Sequence, residues 1–185
     1  MLRKQFAAEI LGTFALVFAG TGAIVVNDVS GGAVTHVGVA LTFGLIVLSM
    51  IYTFGDISGA HLTPAVTVAF WCAGRLPIRA IGPYLGAQVI GAVSASLALR
   101  LLFPDHTGLG ATHPAGSVFQ TFLLEVLLTF LLMLTILNVS TGAKEKGITA
   151  GIVVGSVIGY RPAIHCLAHV EKMIGPLDAS AQVVN

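Results

Sequence analysis

The order of apolar and polar positions divides the chain into long apolar runs with short interruptions. Four runs, Gln5 to Val26, Thr35 to Phe54, Ile81 to Phe103 and Val118 to Val139, each reach the roughly twenty residues that a helix needs to cross a bilayer. A fifth, Ile148 to Tyr160, is apolar and glycine-spaced but stops at Arg161-Pro162. At about 1.5 Å per residue it covers roughly 20 Å of a hydrocarbon core roughly 30 Å thick. The pattern predicts four full spans and leaves the fifth short.

Between the second and third spans the chain reads "GDISGAHLTPAVTVAFWCAG", which is too apolar for a solvent loop. Thr63 followed by Pro64 is a helix-start signal, because a hydroxyl suits the N-cap and proline at the first helical position has no N–H to leave unpaired. A helix from Pro64 to Ala73 is about 15 Å long, half the hydrocarbon core, and Gly74-Arg75 ends it. The expected arrangement is a re-entrant half-helix, with Gly55 to Leu62 descending as extended chain and Thr63 near mid-membrane. Its free N–H groups and positive dipole end then point into the protein centre.

The chain also repeats itself. "EILGTFALV" at Glu9 and "EVLLTFLLM" at Glu125 share a glutamate followed by Thr-Phe, and "GVALTFG" from Gly38 and "GIVVGS" from Gly151 follow at similar intervals. Three spans separate the two starts, so the copies insert with opposite orientation, the inverted-repeat plan of channels and transporters. Glu9 and Glu125 carry two readings: a buried carboxyl with a purely structural role, or an acceptor for the unpaired N–H groups of an irregular loop at membrane depth.

Composition agrees with spans. With 56% hydrophobic and 9% charged residues, the apolar surface exceeds what one soluble core can hide, so this is a membrane protein. A net charge of +1, with no basic stripe interleaved with aromatics, argues against a nucleic-acid partner. Arg3, Lys4, Arg75, Arg79, Lys144 and Lys146 fall on one side, while the Asn27 to Val34 and Pro104 to Ser117 loops carry no Lys or Arg; the N-terminus is therefore expected in the cytoplasm. Glu9 and the length of the first run disfavour a cleaved signal. Cys72 and Cys166 form no framework and read as small apolar side chains. His165 and His169 stand four apart without a convincing third ligand, so no metal site is read. His36, His106 and His113 read as solvated. Residues 1–160 form one membrane domain and 161–185 a divergent tail.

"AEILGTFALVFAGTGA", "VALTFGL", "SGAHLTPAVTVAF" and "GAQVIGA" resemble, in order and spacing over Gln5 to Ala92, the major intrinsic proteins, which are aquaporins and glycerol facilitators. "LLEVLLTFLLMLTIL" and "AGIVVG" extend the resemblance to about Gly159. It implies an all-α membrane fold with an aquaporin-like inverted repeat, and passive conduction of water and small neutral solutes such as glycerol. It implies no cofactor and no enzymatic step, and suggests a homotetramer in the cell membrane, surrounded by lipid. Thr63, Pro64 and Ala65 then stand at the half-helix end that faces the pore. Phe43 matches the aromatic constriction, against a reading as a lipid- or core-facing ring, and His61, grouped with the pore residues, packs against the loop and Glu9. Glu9 and Glu125 support the loops.

Two departures qualify this. Thr63 stands where the family has asparagine, so one hydroxyl replaces an amide with two N–H donors. The second Asn-Pro-Ala, its arginine and a sixth span are absent, and "YRPAIHCLAHVEKMIGPLDASAQVVN" reads as the product of a frameshift or truncated gene, so the chain as written is expected to conduct poorly. The rival readings are a secondary transporter, which needs a coupling-ion site; an intramembrane enzyme, for which Ser94, Ser96 and the histidines show no pairing; and a non-conducting truncated family member.

Overall fold

The computed structural model describes residues 2–111, 117–140 and 152–157. Along them lie α1 (Leu2–Val29), α2 (Thr35–Ser58), α3 (Pro64–Cys72), α4 (Ile78–Leu102) and α5 (Val118–Val139), and residues 152–157 are helical. The fold is all-α. Helices α1, α2, α4 and α5 are long and apolar enough to cross a membrane; α3, at 9 residues, is about 14 Å long and spans half of one.

Several boundaries differ from the sequence pattern, and α1 runs three residues farther at each end, from Leu2 to Val29 rather than Gln5 to Val26. Helix α2 does not end at Phe54, and the chain after it is not extended from Gly55. It stays helical to Ser58, where Gly59 takes the left-handed conformation (φ 84°) and donates its N–H to the Gly55 carbonyl. Glycine bears that φ without the steric cost other residues meet, and so ends the helix there. Helix α4 starts three residues before Ile81, because Pro77 is held extended and launches the helix at Ile78.

Contacts between the helices give their directions. A side-chain carbon at Gly91 of α4 would lie 2.5 Å from the Ile10 carbonyl oxygen and 3.0 Å from the Phe14 nitrogen of α1. Farther along, Gly22 lies against Leu99 and Asp28 against His106, so α1 and α4 run parallel. Helix α2 returns antiparallel to α1, with Phe43 against Gly20 and, after the turn, Leu62 against Gly12. Residues 152–157 approach α2 closely: a carbon added at Gly155 would lie 2.6 Å from the Gly44 carbonyl oxygen. Leu16, Val47, Ala60, Leu62, Leu132 and Val154 meet in the core, joining α1, α2, the turn before α3, α5 and the 152–157 helix.

The small residues of α4 divide by position. Gly91 and Ala95 are buried within the chain, whereas Gly82 and Gly86 face open space. The basic residues Arg3, Lys4, Arg75 and Arg79 lie towards one end of the bundle, where α1 and α4 begin and α3 ends. Arg75 donates from one guanidinium nitrogen to the Leu137 carbonyl (3.0 Å) and the Ser140 hydroxyl (2.9 Å), so α5 ends there as well. At the other end Arg100 is tied to the carbonyls of Pro104 (3.3 Å) and His106 (2.7 Å).

His106 is not the solvated residue its loop position suggests. Its ring pairs with Asp28 at 3.3 Å and accepts the Leu109 N–H at 2.9 Å, because the parallel course of α1 and α4 brings the two loops together. His36 is exposed. Cys72 ends α3 exposed rather than packed, since α3 stops just beyond the helices that cover its start. His113, Cys166, His165 and His169, and the tail from 161, lie outside the described residues.

Candidate functional site

The turn from Ser58 to Pro64 has no helix to satisfy its backbone, so each N–H must find another acceptor at a depth where water is scarce. Ala60 donates to the Ser58 hydroxyl (3.1 Å), His61 and Leu62 donate to the two carboxyl oxygens of Glu9 (3.0 and 2.8 Å), and Thr63 donates to the His61 carbonyl (2.6 Å). Pro64 has no N–H. The carbonyls are held in the same way: Thr13 of α1 donates to Leu62 (3.0 Å) and Tyr84 of α4 to Ser58 (2.7 Å). Ala60 and Leu62 sit at positive φ, 46° and 58°, a conformation that costs a non-glycine residue on the order of 1–3 kcal/mol and persists where the surroundings over-determine it. These hydrogen bonds supply that constraint.

Glu9 is the hub. Fully buried, it accepts from the Ser58 hydroxyl (2.6 Å) and the His61 N–H on Oε1, and from the Leu62 N–H and the Gln88 amide (3.0 Å) on Oε2. All four bonds are accepted and none is donated, matching the acceptor capacity of two carboxyl oxygens. Gln88 also donates to the Thr67 hydroxyl (2.9 Å). Its own Oε1 is buried without a hydrogen-bond partner among the described residues; reversing the amide would turn that oxygen onto Glu9, so the carboxyl dictates its orientation.

Thr63 is the N-cap of α3. Its backbone is extended and its hydroxyl accepts the Val66 N–H (3.4 Å), while its carbonyl accepts from the Thr67 backbone (3.2 Å) and hydroxyl (3.3 Å). The depth follows from the neighbours. Thr13 lies 11 residues beyond Leu2, the start of α1, about 16 Å along it, and Gln88 lies 10 residues beyond Ile78, the start of α4, about 15 Å along it. The beginning of α3 is thus level with the middle of the long helices.

Exposure then changes sharply along the turn. Ala60, His61 and Leu62 are buried, Thr63 is half-buried, and Pro64 and Ala65 are exposed. The Ala65 N–H donates to none of the described residues. A buried turn therefore presents the N-terminal end of a helix, with its dipole and an N–H that no described residue accepts, at mid-depth.

His61 belongs to the support of this end. Its ring stacks on Phe70 (4.7 Å), lies tilted against Tyr84 (4.9 Å), and holds its Nδ1 3.2 Å from the Thr67 hydroxyl. Phe43 lies on α2, half-buried, with its ring against Gly20. Gly20 is seven residues beyond Thr13, about 10 Å farther along α1, so Phe43 lies about that far from the start of α3, towards the end opposite the basic residues. Glu125 is half-buried on α5.

Gln88, Tyr84, Thr67, Thr13 and Ser58 take their roles from the fold and not from the sequence pattern. Gln88, an amide inside the apolar run of α4, was a visible signal. The hydroxyls are too common in membrane helices to stand out.

Residues 1–173 match the family model described as Major intrinsic protein. Aquaporin NIP1-3 of Oryza sativa subsp. japonica is 47% identical over 165 residues, covering 85% of this chain and 57% of that protein. Aquaporin NIP1-1 of Zea mays is 44% identical over 156 residues, covering 84% and 55%. The chain thus spans about half the length of the curated relatives it matches. Among solved structures, the aquaglyceroporin from Plasmodium falciparum superposes with a TM-score of 0.73 at 26% identity, over 91% of this chain and 72% of that one. With a buried turn holding a half-length helix at mid-depth, and a family match over most of its residues, the chain belongs to the major intrinsic protein family.

Proposed function

We propose that this chain forms the first-repeat wall of a passive channel for water and small neutral solutes, with Thr63, Pro64 and Ala65 at the half-helix end beside the path and Phe43 narrowing its approach. The observation that carries this reading is the open α3 end at mid-depth. The turn's own N–H groups are spent on Glu9, Ser58 and His61, which leaves the Ala65 N–H and the positive helix end for a passing solute. A water oxygen can accept there and keep part of its hydrogen bonding, while a cation meets an unfavourable dipole. Glu9 and Glu125 act as loop supports. Aquaporin and aquaglyceroporin names among the similar proteins favour the same reading.

The basic residues at the end where α1 begins support an N-terminus in the cytoplasm, and the family resemblance supports placement in a cell membrane. Gly82 and Gly86, open to the outside of α4, offer a surface where a second subunit of a homotetramer could approach closely.

Osmotic swelling of proteoliposomes holding the full chain tests the channel. Solute-uncoupled swelling above that of empty vesicles, even at a low rate, identifies a channel; swelling that requires an ion gradient identifies a transporter, and no swelling above empty vesicles overturns conduction. Thr63→Asn is expected to leave water permeability unchanged or to raise it, because it keeps the cap and adds a donor. Stopped-flow light scattering at equal protein content reads this, and a clear fall means that threonine is matched to this path.

A further inference from the structure

We propose that Gly20 is a positioning residue for Phe43: the missing side chain at Gly20 holds the phenyl ring back against α1 and so sets the free width at the constriction. The inference rests on the reading of Phe43 as that constriction, and it adds a residue on a different helix that the hydrogen-bonded network does not include.

Gly20 is buried in the interior of α1, where glycine is a poorer helix former than alanine, so local helix stability does not explain its presence. Its surroundings do. A carbon added at Gly20 would fall on the Phe43 ring: the three nearest atoms are Cε1, Cζ and Cδ1 of that side chain, the last at 2.7 Å. Gly12 likewise meets side chains, nearest that of Leu62, but other tight glycines of the bundle differ. Gly91 and Gly155 face backbone atoms of the neighbouring helix, so there the close approach sets the spacing of helices. At Gly20 the approach is to the far end of one side chain, which can turn about its own torsions while both helices stay in place. Elsewhere the ring packs with the core around Leu16 and Val47, which leaves it little room to retreat sideways. A methyl at position 20 must therefore push the ring away from α1, towards the path that the reading of Phe43 as the constriction places beyond it. In a pore that sorts solutes by width, such a displacement acts most on the larger solute.

The full chain in proteoliposomes provides the test, with water and glycerol permeability measured for wild type, Gly20→Ala, Phe43→Leu and the double variant. Gly20→Ala is expected to lower glycerol permeability roughly fivefold while water falls less than about twofold, and to change neither once Phe43→Leu has removed the ring, a coupling that a double-mutant cycle isolates. An equal loss from Gly20→Ala in both backgrounds, or no change in either solute, overturns the proposal. The ring is also followed directly, by fluorine NMR of 4-fluorophenylalanine at position 43 in nanodiscs. Gly20→Ala is expected to shift that resonance; an unmoved resonance overturns the proposal whatever the vesicles show. A shifted resonance with a Phe43→Leu variant that leaves the glycerol-to-water ratio unchanged locates the failure in the constriction reading, and the selectivity role of Gly20 falls with it.

Discussion

Replacement of Glu9 by leucine is expected to remove the folded, monodisperse protein from detergent extracts. The substitution keeps bulk and apolarity but takes the acceptor from four buried donors, the Ser58 hydroxyl, the His61 and Leu62 N–H groups and the Gln88 amide. Leaving a buried donor unpaired costs about 1–3 kcal/mol, so the sum approaches the roughly 5–15 kcal/mol by which a folded protein exceeds its unfolded state. The positive φ at Ala60 and Leu62 would lose its constraint at the same time. Glu9→Gln should fall between leucine and wild type: one oxygen remains, and the new N–H groups face donors. Thermal melting followed by size-exclusion fluorescence measures both, at about 2–4 °C per kcal/mol for a chain of this size. A leucine variant that melts within a few degrees of wild type would show that the turn is held by something other than Glu9.

The second large effect is expected at Gly91. Valine there places its first carbon 2.5 Å from the Ile10 carbonyl oxygen and near the Phe14 nitrogen, and backbone inside a helix cannot swing aside as a side chain can. Helices α1 and α4 must separate, and the bond between Glu9 and Gln88, 3.0 Å long and one helical turn away, lengthens with them. Overpacking costs about 1–3 kcal/mol and an unpaired buried donor about as much again, so the variant should melt well below wild type. Ser94→Val is the control on the same helix, at an exposed position; it should stay within about 0.5 kcal/mol of wild type, as surface substitutions do. Equal melting of the two variants would mean that the α1–α4 approach is looser than the contact at Gly91 implies.

Much of this architecture was legible in the residues. Span length needs only apolar run length, because lipid forces a helix to satisfy its own backbone. Thr63-Pro64 marked the start of α3 by local chemistry, a hydroxyl cap and a proline that lacks the orphan N–H, and the helix begins there. The continuation of α2 to Ser58 was not legible: Gly55 and Gly59 are equivalent as local signals, and only Gly59 ends the helix, where Ser58 can reach Glu9. The pairing of His106 with Asp28 was hidden for a related reason, since 78 residues separate them and nothing local says that α1 and α4 run parallel.

The site divides in the same way. Sequence alone determined that a carboxyl lies inside the first span, that a half-length helix with a capped start follows the second, and that the basic residues crowd one end. Those are properties of composition, spacing and local backbone chemistry. Tertiary structure decided which atoms Glu9 holds, that His61 is buried while Pro64 and Ala65 are exposed, and that Gln88 and Tyr84 complete the support. It also decided that Gly91 sets a helix spacing where Gly20 meets a single ring. A glycine or a buried carboxyl has no fixed partner in one dimension; its partner is whatever the packing of distant helices brings within about 3 Å, where a hydrogen bond or a steric contact begins to act.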